Sequence, residues 1–426
     1  MKIFNSEIKK ISAREILDSR GTPTVEATVI LESGAIGVAS VPSGASTGVH
    51  EANELRDREK RMHGKGVLRA VEGVNDKISA ALVGVSALEQ ERADSIMITL
   101  DGTGNKSNLG ANAILSVSLA IARAAAAHIG IPLYRYLGGY SRNTLPIPMM
   151  NILNGGAHAD NNLDIQEFMI VPNGAESLSD AVRMGAEIYF HLKKILSNCN
   201  LSSAVGDEGG FAPNLDNEKQ AIELILKAIS NAGLRAGEDV SLALDAASSE
   251  WYDAERKCYV MPKSKKAFTP EELANMLSTL SAEYPIISIE DGMGEDDVAG
   301  WRILTEKLKS EALLVGDDLF VTNKKRLIMG KTQKIANAIL IKPNQIGTLS
   351  EVIETVDYAK ANGYKTIMSH RSGETADTFI SDLAVALGCE LIKTGAPARS
   401  ERTEKYNRLM KIESEMFNPA YAGELF

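Results

Sequence analysis

Between residues 241 and 395, six short apolar runs each end in one polar residue. The runs are Leu242–Leu244 before Asp245, Ile286–Ile289 before Glu290, Leu313–Gly316 before Asp317, Ala338–Ile341 before Lys342, Thr366–Ser369 before His370, and Glu390–Ile392 before Lys393. From Glu290 onward the polar ends recur about every 23 to 28 residues, one strand plus one crossover helix. Apolar residues at three- and four-residue spacing predict helices over Pro270–Glu283, Val298–Ser310, Asn323–Gly330, Leu349–Ala361 and Thr375–Leu387. Strand–helix units repeated in this way predict an α/β barrel, which would bring all six polar ends to one mouth.

The first third of the chain follows another pattern. Ile8–Glu15, Val25–Leu31 and Ile36–Ser40 read as an antiparallel sheet, with turns at Asp18–Gly21 and Ser33–Gly34. The loop Ser43–Gly48 suits a mobile lid whose hydroxyls and N–H groups reach a ligand. Val67–Ile78 and Ala111–His128 read as helices. Leu137–Tyr140 and the prolines at 146 and 148 mark a boundary, giving a small α+β unit over residues 1–138 and a barrel over residues 139–426. The barrel region opens irregularly. Two strand-like runs, Met149–Leu153 and Gln166–Pro172, precede helical stretches at Leu178–Leu196 and Glu218–Ala232.

Composition narrows the function. A chain of 426 residues is too long for one ordinary core. Its 44% apolar and 24% charged content is that of a globular protein. A net charge of -10 leaves no basic excess for a broad nucleic-acid interface. Three scattered cysteines, Cys199, Cys258 and Cys389, suit neither a disulfide framework nor a zinc site and fit a reducing compartment. No apolar signal peptide core follows Met1, and the apolar run Ala113–Ile129 is broken by Arg123 and His128, so it reads as a core helix and no transmembrane segment is expected.

The polar strand ends carry the chemistry. Asp245, Glu290 and Asp317 are hard oxygen donors suited to Mg²⁺, although each could instead cap the following helix. Lys342 and Lys393 would be rim residues if alone. Beside a divalent cation, neighbouring positive charge would lower a lysine pKa and create a base. Arg371 can grip phosphate or carboxylate bidentately, and Ser372 with nearby N–H groups suits phosphate at a helix N-terminus. Glu208 and Glu167, if adjacent, would share a proton that one could donate. His158 stands alone in a Gly-Gly turn.

Several motifs occur together in one order. They are Ser43–Gly48, Asn105–Ala113, Asn154–Ala159, Gly206–Asn214, Ser288–Asp291, Gly316–Asp318, Lys342–Thr348 and Ser369–Thr375. With these the chain resembles the enolases, nearly end to end, in a form closer to the bacterial than the animal members. The resemblance implies a TIM-like barrel of ββαα(βα)6 type behind a smaller N-terminal α+β domain. It implies reversible dehydration of 2-phosphoglycerate to phosphoenolpyruvate by a hydro-lyase of glycolysis. Mapped onto this chain, Lys342 is the base at C2, Glu208 the acid at the C3 hydroxyl, and Glu167 its partner. Asp245, Glu290 and Asp317 hold one Mg²⁺, and Ser43 on the lid holds a second that arrives with substrate. Arg371 and Ser372 clamp the phosphate, Gln166 and Lys393 orient substrate, and His158 and His370 are active-site histidines. A Lys or His base working with one or two Mg²⁺ ions is the general pattern of the enolase superfamily.

Two other readings stand beside this one. Another superfamily member could abstract a proton beside a different carboxylate, as an acid-sugar dehydratase does, but it would not need Arg371 with Ser372. A surface-displayed, plasminogen-binding protein without catalysis would not need three carboxylates and Lys342. The resemblance further implies a homodimer or octamer, in the cytoplasm or also exported to the cell surface without a signal peptide.

Overall fold

The computed structural model describes residues 5–44 and 48–425, with the side chains of 424 and 425 left out. Ala45, Ser46 and Thr47 of the expected lid therefore lie outside the described residues, as do Met1–Phe4 and Phe426. Strands β1 (Ile8–Leu17), β2 (Pro23–Leu31) and β3 (Ile36–Ser40) form an antiparallel sheet in sequential order. Alternation along β2 sends Val25, Ala27, Val29 and Leu31 to the buried face. Helices α1 (Gln90–Asp101) and α2 (Ala111–Ile129) follow. The stretch read as one helix over Val67–Ile78 is a short α-turn, Leu68–Glu72, running into a π-helical segment, Gly73–Ile78.

By length and composition α2 could cross a membrane, yet 78% of its apolar window is buried within the protein. Small residues on α2 let it lie close against the sheet. A Cβ on Gly37 of β3 would come within 2.0 Å of Ala120 O and 2.4 Å of Ala124 N. Both contacts are to helix backbone, so neither can be relieved by a side-chain rotation.

Eight strands close the barrel. They are β4 (Ile147–Asn154), β5 (Glu167–Val171), β6 (Ser241–Asp245), β7 (Ile286–Glu290), β8 (Leu313–Gly316), β9 (Ala338–Ile341), β10 (Lys365–Ser369) and β11 (Leu391–Lys393). The strands are buried on both faces, which is why they read as continuous apolar runs instead of alternating ones. Met149, Met169, Ala243, Val315, Leu340 and Ile367 belong to one internal cluster, separate from the larger core that the helices share. Helices α3 (Leu178–Asn198) and α4 (Glu218–Asn231) lie between β5 and β6. Thereafter α5 (Pro270–Glu283), α6 (Val298–Leu308), α7 (Lys324–Gln333), α8 (Leu349–Ala361), α9 (Phe379–Leu387) and α10 (Ser400–Glu415) each follow one strand. The order is ββαα(βα)6.

The irregular opening has a topological meaning. β5 pairs antiparallel with both β4 and β6, whereas the other six pairings are parallel. Among the described residues no helix crosses back between β4 and β5, as a parallel pair would usually need, and β5 runs backwards. Its first residue, Glu167, therefore sits beside Asp245, the last residue of β6. A small three-stranded sheet over Tyr252–Phe268, between β6 and α5, has no counterpart among the expected elements.

The N-terminal unit is tied to the loops at the barrel mouth. Arg123 of α2 makes a two-pronged ion pair with Asp377, at 2.6 and 2.7 Å. Ala52 N donates to Gln345 O at 2.8 Å, and Ser43 and Gly373 exchange backbone hydrogen bonds at 2.8 and 3.0 Å. Crowding at Gly37 makes it a test of this unit. Gly37→Ala is expected to lower stability by about 1–3 kcal/mol. Gly104, with nothing within 4 Å of an added Cβ, is the control, and Gly104→Ala should stay within about 0.5 kcal/mol of the parent in urea unfolding.

Candidate active site

Every polar strand end reaches the same mouth. One enclosed cavity is lined by His158, Gln166, Glu167, Glu208, Asp245, Asp317, Lys342, His370, Arg371, Ser372 and Lys393, with Asp291 and Asp318 beside them. Residues as distant in the chain as His158 and Lys393 thus converge through topology alone.

Lys393, at the end of β11, stands at the centre. Its Nζ lies 3.1 Å from Glu167 Oε2, 3.1 Å from Asp245 Oδ2 and 2.8 Å from Glu290 Oε2. Burial disfavours this ammonium, but the carboxylates around it outweigh burial and hold its pKa well above the usual lysine range. Gln166 Nε2 donates to Asp245 Oδ2 at 3.2 Å. Asp317, one residue past β8, takes hydrogen bonds from Lys342 Nζ and from Gln345 Nε2, the latter at 2.8 Å.

Lys342 is paired with Asp317. Burial again works against its ammonium, but Asp317 more than compensates and the pKa is raised. The neighbouring cations Arg371 and Lys393 do oppose this, as expected, yet the directly bonded carboxylate wins because its contact is the shortest.

Asp245, Glu290 and Asp317 sit at the ends of three successive strands. Glu290 Oε1 is buried without a hydrogen-bond partner among the described residues. Burial, then the charges of Asp245 and Asp317, push the Glu290 carboxyl well above its ordinary range. An all-oxygen donor set, an unsatisfied buried oxygen and uncompensated negative charge fit a hard divalent cation. A second group, Asp291, Asp317 and Asp318, brings carboxylate oxygens within 4.8 Å of one another. Asp291 takes a left-handed backbone, φ 42°, and its carboxylate accepts from the N–H groups of Asp317 and Asp318 at 3.0 and 2.8 Å. Burial and the Asp317 charge push the Asp318 carboxyl up to about 8.

Glu167 and Glu208 do meet. With His158 they place ligand atoms within 4.8 Å of one another. Both are buried, and two charges there would be costly. Burial and the Glu208 charge raise Glu167 well above the carboxylate range. Burial also works to raise Glu208, but the neighbouring positive charge, from His158 first and from Lys393 and Arg402 as well, outweighs it and leaves Glu208 low. The two shifts run in opposite directions, so a proton sits more readily on Glu167 than on Glu208. Asn151 Nδ2 donates to Glu208 Oε2 at 2.8 Å. His158 Nδ1 and His370 Nε2 lie 3.5 and 3.6 Å from Glu208 Oε1.

One expectation changes. Ser372 does not adjoin a helix N-terminus, because α9 begins at Phe379 and not at Thr375. The intervening turn is held instead by Asp377, which accepts from Phe379 N at 2.8 Å while paired to Arg123. Ser43 is buried, but its hydroxyl donates to Asp18 Oδ2 at 2.6 Å and accepts from Arg20 Nη2 at 3.2 Å, away from the three carboxylates. Arg20 Nη1 also reaches Ser372 Oγ at 3.3 Å.

Residues not singled out from the sequence complete the site. Glu51 grips Arg371 bidentately, at 2.9 and 3.0 Å. Asn344 Oδ1 accepts from Arg371 at 2.9 Å. Arg402, fully buried on α10, reaches His370. Asp291 and Asp318 adjoin predicted ligands and were visible as Glu290-Asp291 and Asp317-Asp318 doublets. Glu51 and Arg402 had no such signal.

Two family models match the chain: "Enolase, N-terminal domain" over residues 8–137 and "Enolase, C-terminal TIM barrel domain" over residues 142–426. A curated relative named "Enolase", from a Nitratiruptor species, is 57% identical over 420 residues, covering 98% of this chain and 99% of that protein.

The Lys393 cluster generates a stability test. Lys393→Met leaves three buried carboxylates without their shared cation and should cost about 3 kcal/mol or more in chelator-treated protein. Urea unfolding would show it, and a loss below about 1 kcal/mol would mean that the carboxylates are stabilised by something else.

Proposed function

From the premise that this chain belongs to the enolase family, we propose that the barrel mouth carries out reversible dehydration of 2-phosphoglycerate with Lys342 as base and the Glu208–Glu167 pair as acid. The chain is a phosphopyruvate hydratase. The assignment of roles to its residues rests on one observation above all. β9, which delivers Lys342, and β5, which delivers Glu167, lie four strands apart in a ring of eight. Base and acid therefore face each other across the mouth, with the Lys393 cluster among the strand ends between them.

That arrangement suits the chemistry. The C2 proton lies beside a carboxylate and is very weakly acidic, so its loss needs positive charge near the carboxylate oxygens. Lys393 supplies one such charge. Asp245, Glu290 and Asp317 would hold Mg²⁺, which would supply more and would compete with Lys342 for Asp317. With Asp317 drawn to that cation, Lys342 would release its ammonium proton to solvent and, as the neutral amine, take the C2 proton at Nζ. Hydroxide then leaves C3 with a proton from the carboxyl pair on the other side. Arg371 and Ser372 anchor the phosphate, and Gln166 orients the reacting end.

A second Mg²⁺ arriving with substrate belongs to the same reading. Its ligand would come from the lid that Ser43 begins, where the Ser43 hydroxyl would first have to leave Asp18. The lid would also exclude water on closing. Assembly as a homodimer or octamer, work in the cytoplasm, and export with plasminogen capture are carried by family membership alone. Light scattering addresses the first.

Two experiments test the reading. Lys342→Ala is expected to abolish exchange of the C2 proton with deuterated solvent, followed by NMR, while Glu208→Gln loses dehydration and keeps exchange. Undiminished exchange in the Lys342 variant rejects the assignment. Mg²⁺ is expected to raise the Tm of the metal-free parent by about 1–2 °C, what about 1–2 kcal/mol of binding linkage gives for a chain of this length. Asp317→Asn should lose that shift along with activity, and a shift of equal size in the variant would move the cation elsewhere.

A further inference from the structure

Arg402 is completely buried and lies outside the set of groups that face the cavity. Its Nη1 donates to His370 Nδ1 at 2.7 Å and to Arg371 O at 2.7 Å. Its Nη2 donates to Ser372 O at 2.7 Å and Asp207 O at 3.0 Å. Three carbonyls from two mouth loops thus fix the plane of the guanidinium. Gly395 fixes its stem, since a Cβ there would come within 2.8 Å of Arg402 Cδ.

Guanidinium has donors and no lone pair to offer, and it stays charged at any ordinary pH. The ring nitrogen it meets must therefore accept. A neutral imidazole that accepts at Nδ1 carries its hydrogen on Nε2. An imidazolium would carry hydrogen on both nitrogens and set an Nδ1–H against the arginine N–H. His370 Nε2 has no hydrogen-bond partner among the described residues and lies 3.6 Å from Glu208 Oε1.

We propose that Arg402 is a positioning residue that locks His370 as the Nε2–H tautomer, so that His370 serves the reaction as an uncharged hydrogen-bond donor toward Glu208 and the departing hydroxyl, not as a proton carrier. This rests on the reading of Glu208 as part of the acid pair. Burial, which holds the His370 pKa well below the usual histidine range, acts in the same sense. The geometry also explains why a fully buried arginine is stationed behind a histidine. A lysine there could donate to Nδ1 but could not span three carbonyls at once.

The test begins with the unaltered full-length protein. Production of phosphoenolpyruvate by the parent is measured first, and its absence would remove the functional reading without touching the tautomer. Protein labelled with ¹⁵N at histidine is then examined by long-range proton–nitrogen correlation, with His370→Gln identifying the signal. The expected result is an unprotonated Nδ1 and a protonated Nε2, unchanged as pH falls below the ordinary histidine pKa. A protonated Nδ1 overturns the proposal whether or not any variant folds. Next, Arg402→Met, which removes the donor to Nδ1, should lower kcat about 10²-fold, the low end of what loss of one positioned hydrogen-bond donor costs, with KM little changed. In a His370→Gln background the same substitution should cost less than about twofold further. Equal losses in both backgrounds would show that Arg402 does not act through His370.

Discussion

One buried ammonium among three carboxylates organises the active site. Lys393 is 2% exposed, and Glu167, Asp245 and Glu290 close on it from three different strands. Removed from water, each of these charges would be costly alone. Together they remain short of one or two positive charges, and the strongly raised proton affinity of Glu290 is the physical sign of that shortage. A cluster of this kind does little for stability compared with apolar packing of equal volume. The barrel carries it because the layers of apolar side chains below, such as Met169, Val315 and Leu340, and the helix-packed core outside supply the folding energy.

The same shortage gives the site its direction. A substrate that builds negative charge on a carboxylate is welcomed where cations are held close and water is thin. Around that centre the barrel spaces its titratable groups by strand position. Lys342 stands with Asp317 on one side, and Glu167 stands with Glu208 and two histidines on the other. The opposite shifts in the carboxyl pair and the raised lysine come from separate local contacts. The two steps of an elimination can therefore use separate groups that do not exchange protons with each other.

Much of this was legible along the chain. Six strands, five of the crossover helices within a few residues, and the polar terminus of every strand follow from period and punctuation, because parallel strands all end at one mouth. The meeting of Glu167 with Glu208 did not follow from the residues alone. It depends on β5 running backwards, and hydrophobic patterning carries no sign of strand direction. The start of α9 was misplaced by four residues because Asp377 takes part in both a turn and an ion pair with Arg123, 254 positions earlier. Arg402 lies past residue 393, in a stretch for which no element was predicted, and in sequence it is one more charge among many. Only the packing of α10 behind the mouth separates it from its solvated neighbours.

Glu51 shows what such distant contacts accomplish. It approaches from the N-terminal unit, close after the lid, and fills both prongs of the Arg371 fork. Left empty, that guanidinium would be a buried, unpaired cation at a cost of several kcal/mol. With a carboxylate in the fork, the guanidinium is held in one orientation. On the proposed reading, binding then exchanges one anion for another at a desolvated cation, and the desolvation is already complete. On that reading the displaced carboxylate belongs to the segment just past Gly48, so occupancy of the fork and the position of that segment would be coupled through Arg371.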